Sequence, residues 1–349
     1  MSVRVRRNHL IAISALLLAI LTGGLLRYLA VADSSPLPGY LCETYDGLPL
    51  TRQGREQHGM IQLSAGRFTM GSERFYPEER PAVPVGIKGF WIDRHPVTNA
   101  QYAAFVRATG YQTQAERGLS GEAARGLPSA VRLPGSLVFV RSKEHPGWQF
   151  IAGANWRHPE GPGSGIETRL SHPVVHVSFD DALAYATWLG RELPSEAQLE
   201  YAARGGLVEA DYAWGDKPLD HEHPQANTWQ GDFPLADRGI DGYRGTSPVG
   251  CFPPNGFNLF DMGGNVWELT RTWYRPGHEG VETNNPEGPD TGLDPREPGV
   301  PVKVIKGGSH VCAEDYCLRY RPSARQPQVS YLGTSHIGFR TVSTEAPTR

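Results

Sequence analysis

Two cysteines, Cys312 and Cys317, close a Cys-Ala-Glu-Asp-Tyr-Cys segment that follows Gly307-Gly308-Ser309-His310. Thiols at this spacing meet across a tight loop, where they either join as a disulfide or together hold one soft ion, Cu(I) or Zn(II). A structural zinc site takes four ligands and His310 offers at most a third, so copper or a disulfide suits the segment better. Arg319, Arg321 and Arg325 follow closely, placed either to favour a thiolate or to form ordinary ion pairs. Two further constellations interleave amides and carboxylates with other turn residues: Asn227-Thr228 with Asp241 and Tyr243, and Gly263-Gly264-Asn265-Val266-Trp267-Glu268. Their side-chain and backbone oxygens suit calcium, although the same residue types also serve simply as turn formers. Other templates are missing: no glycine-rich phosphate loop follows a strand, no G-x-S-x-G elbow occurs, and His158, His172 and His176 lack helical metal-site spacing.

These residues need a scaffold. Ile61 and Leu63, then Phe68 and Met70, read as short strands around Ala65-Gly66. Three capping boxes predict helices: Thr98 with Gln101, stopped by Gly110; Ser178 with Asp181, ending at Gly190; and Ser195 with Gln198, closed by Gly205-Gly206. Asp180 and Asp181 then fall in a first helical turn and read as capping residues rather than a catalytic pair. The remainder reads as short strands and long loops, stiffened by blocks such as residues 153–162 and Phe252-Pro-Pro-Asn-Gly-Phe257. No internal repeat appears.

Composition agrees with a loop-rich globular chain: 349 residues with Gly 41 and Pro 29, yet 39% hydrophobic with Trp 8, enough to bury a core. A net charge of -3 without a long basic run argues against a nucleic-acid partner. Arg4, Arg6 and Arg7 precede an apolar run from Leu10 to Leu26, and Ala30-Val31-Ala32 offers a small-x-small cleavage site. Residues 1–32 are therefore expected to be a signal peptide or an uncleaved signal anchor, residues 33–59 an extended lead-in, and residues 60–345 one folded domain. Export to the periplasm or another extracytoplasmic space follows, possible membrane contact being confined to the N-terminal anchor, and a second disulfide between Cys42 and Cys251 is a candidate in that oxidising setting.

The ordered set Phe68-Thr-Met-Gly71, Asn155-Trp-Arg-His-Pro-Glu-Gly-Pro162, His172-Pro-Val-Val-His-Val-Ser178, Leu193-Pro-Ser-Glu196, Asn227-Thr-Trp-Gln-Gly231, Phe252-Pro-Pro-Asn-Gly256, Gly264-Asn-Val-Trp-Glu268, Gly307-Gly-Ser309 and Gly338-Phe-Arg340 resembles the formylglycine-generating enzyme, or sulfatase-modifying factor, family. The resemblance spans Met60 to Val342. It implies a single irregular α+β domain related to the C-type lectin fold, expected to be a monomer. It also implies a copper(I)-dependent oxidase that uses molecular oxygen to convert the cysteine of a Cys-x-Pro-x-Arg segment, in an unfolded sulfatase-type polypeptide, to formylglycine. By this resemblance Cys312 and Cys317 are the copper thiolates, and Ser309 and Tyr316 occupy active-site positions. One calcium maps onto Asn227, backbone Thr228, Asp241 and backbone Tyr243; a second maps onto backbone Gly263, Gly264 and Val266 with the Glu268 carboxylate.

The chain departs from the family pattern at Ala313, Glu314 and Asp315 within the cysteine loop, at Leu269, and at His336-Ile337 before Gly-Phe-Arg. These changes bear on substrate choice. Two other readings share the motifs: the same copper-thiolate site acting on another exported substrate such as a siderophore precursor, and a calcium-stabilised lectin-like binding module whose Cys312–Cys317 pair is a permanent disulfide.

Overall fold

The expected helices form where their caps place them. In the computed structural model, which describes residues 59–344 apart from 125–127, 143 and 221, α1 spans Asn99–Thr109 and carries a complete capping box at Thr98 and Gln101, with Gly110 left-handed at φ 68°. A four-residue α2, Gln114–Arg117, has a further box at Thr113 and Glu116 that the sequence reading did not use. Helix α3 covers Phe179–Trp188 and α4 covers Glu196–Arg204, capped by Ser178 and Ser195. Asp181 does more than cap α3: buried, it also accepts from the Tyr111 hydroxyl at 2.9 Å and the Gln114 amide at 3.0 Å, tying α2 to α3.

The strands are short. β1 (Met60–Leu63) and β2 (Gly66–Met70) appear on either side of Ala65 as expected, yet they do not form a hairpin with each other. β1 pairs with β4 (Phe90–Asp93) and β2 with β3 (Val83–Ile87). β11 (Val342–Ser343) adds to the other edge of β4, so the first and last strands of the domain close one three-stranded sheet. A separate hairpin joins β5 (Gly135–Val140) to β6 (Gly147–Ala152). The sheet that matters most for chemistry has the order β10 (Ile337–Gly338), β7 (Trp267–Trp273), β8 (Val302–Lys306), β9 (Arg325–Val329).

Two apolar clusters carry the packing. One joins α1 and α3 through Tyr102, Phe105 and Tyr185 to Trp156, Trp267 and Phe339, and reaches the two cysteines. Edge-on aromatic contacts, such as Tyr102 with Trp156 at 5.3 Å, fix its geometry. The other packs α4 against β1 to β4.

Between these clusters lies a buried ionic layer. Strand β8 is buried at every position although two of its five residues are lysines. Lys306 reaches Glu200 at 2.9 Å and Lys303 donates to the Arg271 carbonyl at 2.7 Å, its ammonium 3.5 Å from the Trp273 ring centre. Glu196 takes both arms of Arg325, at 2.6 and 2.9 Å. Burial alone would raise the Glu196 carboxyl; Arg325, His278 and Lys306 override it and hold it well below the usual carboxylate range.

The described residues from Gly59 onward belong to one compact unit. The signal segment, most of the lead-in and Cys42 lie outside the described residues. Cys251 is disulfide-bonded.

Candidate active site

Strand β8 delivers the cysteine loop. At its end Gly307 and Gly308 turn with positive φ, and a Cβ on Gly308 would stand 2.8 Å from the Tyr320 amide nitrogen, so the chain doubles back only because glycine is there. Ser309, fully buried, anchors the turn: its hydroxyl accepts from the Val311 amide at 3.2 Å and its carbonyl from the Cys312 amide at 2.9 Å. The Ala313 carbonyl then accepts from the Cys317 amide at 2.8 Å and the Tyr316 amide at 3.3 Å. This tight turn is the local reason that four intervening residues bring the sulfurs together.

Cys312 and Cys317 are free thiols, 2% and 8% exposed, with their sulfurs 2.7 Å apart in a hydrogen bond. Burial pushes the Cys312 thiol well up. Cys317 moves the other way: the hydrogen bond from Cys312 holds it below the usual thiol value against its own burial, and the Arg319 guanidinium adds to the effect. Of the three trailing arginines, Arg319 therefore acts on the thiols, while Arg321 and Arg325 are spent on Glu79 and Glu196.

The rest of the loop faces two ways. Tyr316 points out, 64% exposed, and stacks on Phe233 with ring centres 4.1 Å apart. Phe233 in turn meets Phe139 and Trp229, making an aromatic rim beside the thiols. His310 points in and pairs with Arg141 at 2.8 Å; burial and that cation keep the imidazole neutral. It is thus committed elsewhere, and among the described residues no three His, Cys, Asp or Glu side chains gather to hold a metal. A pair of soft thiols with no third protein ligand fits a two-coordinate soft cation such as Cu(I) far better than zinc. His336, half-buried, stands against Trp148 with ring centres 4.5 Å apart, and desolvation takes its imidazole down to about 3.

The calcium candidates lie in adjoining loops. The Asp241 carboxylate accepts from the Thr228 and Tyr243 amides at 3.0 and 2.9 Å, and burial lifts it to about 6. Asn227 Oδ1 and Thr228 Oγ1 are buried with no hydrogen-bond partner, as is Ser247 Oγ in the neighbouring loop. Buried oxygens left unpaired beside a buried carboxylate are what a hard cation would satisfy. The second expected set is arranged differently. Gly264 turns at φ 78° against the Asn227 carbonyl, but the Glu268 carboxylate is gripped by Arg340 at 2.6 and 2.7 Å. A further buried carboxylate nearby, Asp261, accepts from the Gly250 amide at 2.8 Å and from Asn265, and burial lifts it to about 6. Asp261 was missed in the sequence because nothing local distinguishes it from a turn aspartate; its φ of 54° is the structural mark.

Asn265 was also missed as a positioning residue. Its side chain bonds the backbone of Ser247, its amide donates to the Asn227 carbonyl at 2.8 Å, and its own carbonyl accepts from His310 at 3.0 Å. One residue thereby connects both oxygen-rich loops to the cysteine loop.

This combination has relatives. Residues 47–345 match the sulfatase-modifying factor enzyme 1-like domain. The chain is 48% identical over 295 residues to the formylglycine-generating enzyme of Mycobacterium tuberculosis, covering 81% of this chain and 97% of the relative. It is 42% identical to the mouse formylglycine-generating enzyme, covering 83% of this chain and 76% of that one. It is also 37% identical to the mouse inactive C-alpha-formylglycine-generating enzyme 2, covering 88% and 94%. Among solved structures, PvdO from Pseudomonas aeruginosa superposes with a TM-score of 0.56 at 26% identity over 81% of this chain and 93% of PvdO. Matched along nearly its whole folded length, with the thiol pair and the motif order intact, the chain belongs to the formylglycine-generating enzyme family.

Proposed function

We propose that this protein is an exported, copper(I)-dependent oxidase that converts the cysteine of a Cys-x-Pro-x-Arg segment in an unfolded sulfatase-type client to formylglycine, using molecular oxygen. The observation that carries the reading is the buried pair of free thiols 2.7 Å apart. Family membership alone would not suffice, since a relative named inactive matches at least as much of the chain, 88%, at 37% identity. The basic, apolar and small-x-small segments at the N-terminus support export.

Cys312 and Cys317 would hold the copper, which supplies the one-electron chemistry with oxygen when bound. The chain does the rest. Glycine-shaped backbone and the Ser309 turn keep the sulfurs converged, so little ordering remains when a soft cation arrives. The neutral His310, held by Arg141, keeps a competing imidazole away from the thiols. The Tyr316–Phe233 stack offers an exposed aromatic rim on which an extended client segment can lie, and an unfolded client is required because its cysteine must reach down to sulfurs that are nearly inaccessible. Loading the protein with Cu(I) and supplying an air-saturated Cys-x-Pro-x-Arg peptide together with a thiol reductant, which provides the two further electrons that take O2 to water while the peptide sulfur leaves as sulfide, should yield an aldehyde detectable by mass spectrometry. Copper binding without aldehyde would assign the same centre to another substrate.

Calcium would occupy the oxygen-rich loops, and its effect carries a pH signature. Asp241 and Asp261 have folded pKa values raised to about 6 from 3.8, so the cation-free fold binds their protons more tightly than the unfolded chain and loses that stabilisation as pH rises through 6. The buried histidines run oppositely. His95, His172 and His176 are held at about 4, so their contribution is present above 6.5 and lost as pH falls. They cancel when melting temperatures with and without calcium are compared at one pH. Calcium, which needs the ionised carboxylates, is expected to raise the melting temperature more at pH 7 than at pH 5, where proton competition weakens each site about tenfold. An equal increment at both pH values, measured by calorimetry against a chelator control, would remove these aspartates from the site.

A further inference from the structure

We propose that Arg319, clamped by Glu78 and Tyr76, is a positioning residue for the thiol pair and supplies the fixed positive charge that a buried bis-thiolate centre needs. The inference rests on the copper reading above. Two thiolates around one Cu(I) leave a net negative charge inside a site that water scarcely reaches, and a buried charge without a counter-charge is costly.

The nearby cations are not equivalent. Arg321 is fully buried, but both arms are committed to the Glu79 carboxylate at 2.5 and 3.0 Å. Arg325 is saturated by Glu196 and three carbonyl groups. Arg141 is turned to His310 and lies 3.9 Å from Asp237. Arg319 also has an acidic partner, with Nη2 2.7 Å from Glu78 Oε1, but its Nε, two residues beyond Cys317, is buried without any hydrogen-bond partner.

The sequence folds to hold it there. The Arg319 amide donates to the Cys317 carbonyl at 2.7 Å, a sharp turn immediately after the second thiol. The guanidinium then lies 3.7 Å from the Tyr76 ring centre, while the Tyr76 hydroxyl accepts from the Leu318 amide at 3.2 Å. Glu78 is itself fixed, because the adjacent Glu79 is anchored by Arg321 and Ser323. Residues 76–79 thus form a bracket, distant in sequence, that holds the cation of the residue two positions after Cys317. A mere strut would need the same ion pair but would not affect metal binding.

The test measures Cu(I) affinity of the whole protein anaerobically, by competition with a chromophoric Cu(I) chelator, alongside the unfolding midpoint. Arg319→Gln is expected to weaken Cu(I) binding about 10–100-fold, the range for outer-shell partners of a metal site, with little change in the midpoint. Arg319→Lys, which keeps the charge, should recover most of that loss, and Glu78→Gln, which leaves Arg319 present but unclamped, should fall between. Should Arg319→Gln not fold, Glu78→Gln carries the same comparison. Unchanged affinity in Arg319→Gln, or equal losses in the Gln and Lys variants accompanied by a lowered midpoint, would overturn the inference. Wild-type protein that binds no Cu(I) would overturn the copper reading and this inference together; wild-type binding with an unaffected Arg319→Gln overturns this inference alone.

Discussion

Cys317→Ser is expected to abolish Cu(I) binding and aldehyde formation together while leaving the domain folded, and Cys312→Ser to do the same. A serine oxygen is a hard, neutral donor that cannot replace a thiolate for a soft ion. Among the described residues no third His, Cys, Asp or Glu side chain gathers with the pair, and His310 is paired with Arg141 at 2.8 Å. A single remaining thiol should therefore bind copper no better than an isolated cysteine, and turnover should fall by roughly 10³-fold or more, as when a member of a catalytic unit is removed. The fold should survive because serine is nearly isosteric and the turn is held by the backbone of Ser309 and Ala313 rather than by the sulfurs. Metal titration, aldehyde assay and circular dichroism on the same preparations separate these effects. Full Cu(I) affinity in either single variant would show that the pair is not the centre.

The largest stability effect is expected far from any thiol. Glu79 and Arg321, 242 positions apart in sequence and both fully buried, share two hydrogen bonds, and Ser323 adds a third to the carboxylate at 2.8 Å. Glu79→Ala leaves a guanidinium in the interior without its counter-ion, which costs about 3–5 kcal/mol. Replacing both partners with apolar residues, as in Glu79→Leu with Arg321→Met, should recover a large part of that cost, since the main penalty is the orphaned charge rather than the lost attraction. Urea unfolding of the two variants decides it: a single variant within 1 kcal/mol of wild type, to the order of magnitude of such pairs, would mean that water reaches the site. The pair also seats the bracket that holds Arg319, so the single variant should weaken Cu(I) binding even where it remains folded.

What was legible in the sequence was local. The capping boxes at Thr98, Ser178 and Ser195 specify helix starts because donor and acceptor lie within four residues, and all three form. The convergence of Cys312 and Cys317 was legible for the same reason, as was the choice between ion pairing and thiolate support for the arginines, which the structure divides between Arg319 and its neighbours. What escaped depends on distant partners. Nothing near Met60 announces that β1 pairs with β4 rather than β2, or that β11 closes the same sheet. The acidic partner of Arg340 is Glu268, a pairing across 72 positions that no local pattern in the sequence announces. Tyr316 shows the same limit: its position beside Cys317 is local, but its outward stacking on Phe233 is set by a loop some eighty residues earlier.

The central claim is that the two free thiols hold copper and that this centre oxidises a client cysteine. The most direct test is to load the protein with Cu(I), add an air-saturated Cys-x-Pro-x-Arg peptide and a thiol reductant that supplies the two remaining electrons for O2, and measure bound copper and peptide aldehyde in the same sample by mass spectrometry. The account predicts aldehyde that requires both copper and oxygen and is absent from both cysteine variants. Protein that carries copper on the pair yet forms no aldehyde would contradict the proposed reaction, and protein that takes up no copper would contradict the proposed centre.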